Sequence, residues 1–406
     1  MYDILEGVEV VELGSFVFVP LAAAVLADWG ADVTKVEHPR TGDPYRGLTT
    51  AGMTNSIGDL NLSFQYANRG KRSIGVDVAT PQGHDLLLEL VSRADVFMTN
   101  LRPAVRARLG IEVDDLRPAR PDLVYVRGSG YGQHGALAET AALDGTAYWA
   151  RGGVGAALTP PDAEWPLTQR PAFGDVMAAM TLAGGVAGAL YRRATRGEGS
   201  VVDVGLLNVG MWQMQRDILS APYDPPSGGG VWDVTRKERN PTTGTYRTAD
   251  GRFISLAIVN PDPYWVELCG CLDRPDLATD ERFTTMAARQ QHNAACVAAL
   301  DETFGAETFE HWRAALSSFS GAWAPVQRPA ELHTDEQALA NGFFTEVDTS
   351  VGPLQVVSSP VTFDDFDGPR TMAGAPEVGQ HTEEILLELD HSWDDIVALK
   401  DAGVVT

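Results

Sequence analysis

The sequence predicts an α/β fold, with a parallel sheet carrying helices on both faces and a second, smaller α/β domain. Three observations carry this. Strand-like and helix-like runs alternate from Val8 to about Gly132. A Pro/Gly-rich stretch, "APYDPPSGGGVWD", breaks the pattern after about Ala221. A hairpin pattern, "TGTYRTADGRFISLAIV", then opens a region of different character. At 406 residues the chain is long for one core, which also suggests two domains.

Each element has its own signal. "VEVVELGSF" reads as a buried strand from Val8 to Leu13. "VPLAAAVLADWGA" follows as a helix, with Pro20 near its first turn and Gly30 past its end. "DVTKVEHP" is the next strand. "TPQGHDLLLELVSRA" is a helix whose Leu86, Leu87, Leu90 and Val91 fall on one stripe. "DVFMTNL" and "DLVYVRGSGYG" are two further strands. Ligands of such sheets sit beyond the carboxyl ends of the strands, so the loops after Leu13, Val36, Asn100 and Val126 are expected to line a site. The "DG" at Asp250-Gly251 marks the hairpin turn, and helical segments run from "PYWVELCGCL" to "TFEHWRAALSS". The C-terminal "VVSSPVTFDDF" reads as a strand and "HTEEILLELDHSWDDIVALKDAGVV" as two helices. The expected layout is therefore 1–220, a small domain at 225–330, and a segment at 331–406 that returns to the first domain.

Composition excludes several classes of function. Hydrophobic residues make up 44% and charged residues 21%, which is globular rather than disordered. A net charge of −24, from 31 basic and 55 acidic residues, disfavours nonspecific nucleic-acid binding. The apolar runs are short or Gly/Ala-rich, and the acidic N-terminal stretch lacks a basic n-region, so a cytoplasmic protein with no membrane span is expected. Cys269, Cys271 and Cys296 lack zinc-ligand spacing and read as reduced thiols. The histidines also lack metal spacing, and no metal is expected. Neither a phosphate-binding loop nor a dinucleotide fingerprint is present, since "GSGYGQHG" follows the fourth strand rather than the first. No G-x-S-x-G elbow appears.

Two features remain. Basic residues cluster near strand ends in "NRGKRSIGVD", "NLRPAVRARLG" and "EHPRTGDPYRG". They are either solvated loop charges or a seat for a polyanionic ligand. The stretch "RPAFGDVMAAMTLAGGVAG" places a single carboxylate, Asp175, in front of a long uncharged run. Asp175 is expected to cap that helix and, compatibly, to act as a nucleophile held ionised beside backbone N–H groups.

Taken together, "LEGVEVVELGSFVFVPLAAAVLADWGADVTKVEHPRTGDPYRG", "NRGKRSIGVDVATPQGHDLL", "ADVFMTNLRPAVRARLG", "PDLVYVRGSGYGQHG", "FGDVMAAM" and "TGTYRTADGRFISLAI" resemble the family III CoA-transferases, in the family's order and over nearly the whole chain. α-Methylacyl-CoA racemase shares their fold. The resemblance implies a Rossmann-like large domain built from both chain ends, a small domain between them, and an interlocked homodimer. It places Asp175 on the catalytic aspartate, which forms a mixed anhydride and then an aspartyl-CoA thioester. Coenzyme A enters as the thioester, the partners are an acyl-CoA and a carboxylic acid acceptor, and no metal is needed. Asn100, Leu101 and Arg108 match positions around CoA. Arg40, Lys71 and Arg72 are expected at its phosphates, and Val17 and Phe18 where the first loop meets it.

Three departures from the family pattern refine this. Val17 replaces the glutamine of formyl-CoA transferase, and with Phe16 and Phe18 it makes the loop apolar, which argues against formate or oxalate. Leu143 stands where the racemase carries its histidine base, and a leucine cannot carry a proton. "SGGGVWD", Ser227 to Asp233, resembles the family's active-site glycine loop but comes early. An intramolecular CoA-transferase acting on a dicarboxylic acyl-CoA would use the same aspartate, and it stays open beside the intermolecular enzyme and the racemase.

Overall fold

A computed structural model describes residues 2–49, 55–160, 162–223, 240–363 and 371–406. "SGGGVWD" lies outside the described residues. The chain divides into two compact units: Met1–Leu158, Pro166–Ile218 and Glu336–Thr406 form the first, and Thr159–Trp165 and Leu219–Asp335 the second.

The first unit is built on a six-stranded parallel sheet. Its elements are β1 (Glu9–Leu13), α1 (Phe18–Asp28), β2 (Asp32–Glu37), α2 (Leu62–Asn68), β3 (Arg72–Gly75), α3 (Pro81–Arg93), β4 (Val96–Thr99), α4 (Pro103–Leu109), β5 (Val124–Ser129), α5 (Phe173–Arg196), β6 (Val201–Gly205) and α6 (Leu206–Gln213). The strand order is β3-β2-β1-β4-β5-β6, all parallel. The order reverses between β1 and β4, which opens the crevice where such sheets bind ligands.

Local chemistry fixes the boundaries. Thr80 caps α3, its Oγ1 accepting from Gly83 N at 3.1 Å, and Pro81 opens the helix. Gly30 ends the turn after α1 at φ +105°, where a Cβ would meet Tyr2 O at 2.3 Å, so only glycine fits. α1 and α5 cover one face of the sheet with small residues; Ala22, Ala23, Ala178, Ala179, Leu182 and Ala183 are all fully buried in one apolar cluster. On the other face α3 is joined by Thr382–Glu388 and Trp393–Asp401, whose Ile385, Leu386 and Ile396 pack in one cluster with Val36, Ile74 and Leu87. α5 is the one helix among the described residues long and apolar enough to cross a membrane, which the sequence expectation of no spanning segment did not separate out. Its alanine-rich face is a core surface of this unit.

The C-terminal strand sits earlier than expected. It is Gly352–Val357, antiparallel to Phe344–Thr349, and Thr371–Ala373 adds in parallel. Gly352, at φ +103°, makes the hairpin turn that sets this register; the ladder has ended before Pro360, which has no N–H to donate.

The second unit carries a three-stranded sheet in the order Trp323–Pro325, Phe253–Leu256, Thr245–Arg247. The last two form the expected hairpin, with Phe253 opposite Arg247 and Gly251 at φ +77° in its turn. Tyr246 stacks on Phe304 at 5.0 Å inside a core shared with Trp265 and Trp312. Burial pushes the Cys269 and Cys296 thiols up to about 12, so neither is a nucleophile at neutral pH.

Candidate active site

The crevice between β1 and β4 is tied by one side chain. Asn100, just past β4, accepts from Ser15 N at 3.0 Å and donates to Ser15 O at 2.7 Å, locking the two loops together. The loop after β1 then bends through Phe16 at φ 64°, a left-handed conformation that costs a bulky residue about 1 kcal/mol or more. It is held there by Asp43, whose Oδ1 accepts from both Phe16 N at 3.1 Å and Tyr45 N at 2.9 Å.

Beneath the loop lies a buried charge network. Glu12 on β1 takes Lys35 Nζ at 2.7 Å on one oxygen and Lys71 Nζ at 2.6 Å on the other, with all three side chains fully buried. Lys35 also meets Asp43 at 3.0 Å and Gly14 O at 3.1 Å. Lys71 also donates to Pro20 O at 2.7 Å and Asn68 Oδ1 at 2.9 Å. Burial lowers the Lys71 ammonium to about 8, with Lys35 adding to the effect and Glu12 opposing it. Burial alone would lower Lys35 too, but Glu12, Asp43 and Glu37 outweigh it and raise this ammonium. Sequence reading missed this network, although a Glu and a Lys inside adjacent buried strands must be paired.

Asp175 faces this side of the sheet from the first turn of α5. It is not the cap of that helix. The N-cap position is Ala172, in the left-handed region at φ 62°, and it offers no side-chain acceptor. The acceptor comes from Asp144 instead, whose Oδ2 takes Gly174 N at 3.1 Å while its Oδ1 takes Gly145 N at 2.7 Å. Asp144 opens a π-helical turn, Gly145–Arg151, whose Tyr148 side chain packs close against Gly174; a Cβ there would meet the ring at 2.5 Å.

Burial pushes the Asp175 carboxyl up from 3.8 to about 7, and the neighbouring Asp144 charge adds to the rise. A helix N-terminus favours an anion by about 0.3–2 kcal/mol, so burial and like charge outweigh the dipole here. Two phenols complete the surroundings. Tyr45 and Tyr66 meet at 3.4 Å, and the Tyr66 hydroxyl is kept protonated by burial, by Tyr45, and by the Asp175 and Asp144 charges. Trp149 and Phe173 meet edge to face at 6.1 Å beside the helix start. The arrangement is a poised carboxylate among phenols and apolar rings, suited to nucleophilic attack.

Comparison with known proteins gives the chemistry a family. Residues 5–382 match CoA-transferase family III.

The chain belongs to CoA-transferase family III.

It is 33% identical over 99% of both chains to (R)-2-hydroxy-4-methylpentanoate CoA-transferase of Clostridioides difficile. It is 29% identical to cinnamoyl-CoA:phenyllactate CoA-transferase of Clostridium sporogenes, over 99% of this chain and 98% of that one. Among solved structures it resembles a CAIB/BAIF family protein from Brucella suis, with a TM-score of 0.81 and 28% identity over 95% and 99% of the two chains. It is thus an enzyme of the CoA-transferase type, acting on CoA thioesters.

For a family III enzyme, the residues the sequence assigned to CoA fall into three groups. Arg40 and Arg108 are exposed, and neither makes an ion pair with a described residue. Asn100 and Leu101 lie half-buried at the crevice, Leu101 O accepting from Arg106 Nη1 at 2.7 Å. The remaining four make their contacts within the fold. Lys71 is sealed in the Glu12 network, its side chain fully buried. Arg72 lies at the amino end of β3, where Asp32 at 3.0 Å and Glu388 at 2.8 Å occupy it. Val17 and Phe18 are buried at the start of α1, so their side chains serve the core. The basic run "GKR" turned inward because its neighbours on β1, β2 and the C-terminal helix carry the matching acids. Among the described residues no group of His, Cys, Asp or Glu could hold a metal.

Proposed function

We propose that the protein moves CoA from an acyl-CoA to a free carboxylic acid, with Asp175 as nucleophile. The observation that carries this is the half-buried Asp175 carboxyl at the start of α5, raised to about 7 by desolvation and by the Asp144 charge. Its carboxylate attacks the thioester carbonyl, forming a mixed anhydride and expelling CoA thiolate. The thiolate attacks the aspartyl carbonyl, giving an aspartyl-CoA thioester and releasing the donor acid. The acceptor carboxylate attacks that thioester, forming a second anhydride and freeing the thiolate again. Attack of the thiolate on the acceptor's own acyl carbon yields the new acyl-CoA and regenerates Asp175. Thioester energy is conserved throughout, so the cycle needs no ATP.

The acceptor we infer is a 2-hydroxy acid with an apolar side chain. The names of two relatives support this, as do the apolar Phe16 loop and the Trp149–Phe173 pair beside Asp175. Arg40 and Arg108 are the proposed phosphate contacts. The working enzyme we propose is a homodimer, interlocked as in the family. Phe173, Val176, Met177 and Tyr191 on α5 and Trp212 on α6 leave an apolar surface exposed, Trp212 at 69%. Such a surface on a folded unit marks an interaction site. Asp175→Ala tests the mechanism: turnover is lost while CoA affinity and fold persist, and normal turnover by this variant overturns it.

A further inference from the structure

We propose that Asp144 is a positioning residue: it supplies the cap that the nucleophile's own helix lacks, and so leaves the Asp175 carboxylate unengaged for attack. The inference rests on the reading of Asp175 as nucleophile. Three observations lead to it.

The helix start is unusual. Acidic residues in a first turn commonly fold back onto free backbone N–H groups. Asp175 does not; it forms no hydrogen bond or ion pair with a described residue. The left-handed Ala172 cannot supply a side-chain acceptor either. Asp144, from a separate element and only 7% exposed, fills that place with one carboxylate oxygen on Gly174 N and the other on Gly145 N. Both oxygens of this buried carboxylate thus have a backbone donor.

The bond to Gly174 also fixes direction. It joins the residue directly before Asp175 to the π-helical turn, and Tyr148 closes over the same glycine. The Asp175 side chain is thereby aimed by a tether that it does not itself occupy.

The electrostatic consequence follows from placing two carboxylates at one helix start. The groups acting on Asp175 from the elements packed there are Asp144 and the phenols of Tyr66 and, through it, Tyr45; Tyr148 stands beside Asp144. Among the described residues none of these is a cation, so the Asp144 charge adds to burial, the larger cause, in holding Asp175 more basic than an ordinary aspartate. A more basic carboxylate is a stronger nucleophile toward a thioester.

The test compares the wild-type chain with Asp144→Asn and Asp144→Ser. Asparagine keeps one acceptor oxygen and removes the charge; serine keeps a capping oxygen and no charge. Asp175 is titrated in the free protein by 13Cγ NMR of labelled aspartate, its signal identified with Asp175→Asn. The expected result is an apparent pKa that falls by one pH unit or more in both variants, a tenfold change in proton affinity. An unmoved Asp175 titration in both variants overturns the proposal, since a purely structural Asp144 would alter melting temperature alone. Hydrogen exchange of the Gly174 amide in the wild-type chain needs no variant. Strong protection is expected, and exchange at the free-peptide rate overturns the tether. Failure of the nucleophile reading has a different mark: no adduct on Asp175 with any donor, while the titration still responds to Asp144.

Discussion

If Asp175 is held against its natural ionisation, removing its charge stabilises the fold. In the native chain its carboxyl titrates near 7, against 3.8 for an ordinary aspartate. Between those values the folded state binds a proton that the unfolded state does not, so stability falls as pH rises through that window. A displacement of this size corresponds to at most about 4 kcal/mol at pH 8. Because Asp175 is only half-buried, a fraction of that is expected: Asp175→Asn gains roughly 1–3 kcal/mol at pH 8. At about 2 °C per kcal/mol the melting temperature rises by roughly 2–6 °C. The gain shrinks as pH drops below 7 and vanishes near pH 4, where both states of the native residue are protonated or close to it. Thermal melts of both proteins at pH 4.5, 6, 7 and 8.5 check this, alongside a loss of turnover in the variant. A variant less stable than the parent at pH 8, or a gain that does not change with pH, would mean that Asp175 is not held above its ordinary ionisation. This is the stability cost that reactive sites commonly carry.

Other outcomes follow from the same geometry. Glu12→Gln leaves the buried Lys71 ammonium with no carboxylate partner and Lys35 with Asp43 alone, and denaturant titration should show a loss of about 3–5 kcal/mol. Gly174→Ala drives a methyl into the Tyr148 ring and should cost roughly 1–3 kcal/mol by the same assay while lowering turnover, because the Asp144 tether shifts with it. Arg40→Ala and Arg108→Ala should each raise KM for the acyl-CoA severalfold with kcat little changed, whereas Lys71→Ala should act on stability. Sedimentation should give a dimer, and Trp212→Asp should shift it toward the monomer.

Much of the fold was legible because its signals are local. The alternation from Val8 to Gly132, the Thr80-Pro81 start of α3 and the Asp250-Gly251 turn each report short-range chemistry, and the strands and helices expected there are present with ends shifted by up to three residues, while α2 and α4 went unread. The site was legible only in part. Asp175 stood out as a lone acid before an apolar run, but its cap role went to Asp144, thirty-one positions upstream, which no local pattern could pair with Gly174. The basic cluster at Lys71 and Arg72 looked like an anion seat because charge was visible and direction was not. Whether a lysine faces solvent or Glu12 depends on which strands become neighbours, a property of the whole sheet. Tyr45 and Tyr66 carry no sequence signal of their own; the Asp43 turn and α2 bring their hydroxyls together.

The most direct test of the central claim is peptide mass spectrometry of the protein after incubation with 4-methylpentanoyl-CoA or cinnamoyl-CoA and quenching with hydroxylamine or borohydride. A modification is expected on the peptide holding Asp175, present in the parent protein and absent from Asp175→Asn. Turnover of these donors with no modification there, or with the activated carboxyl on another residue, contradicts it.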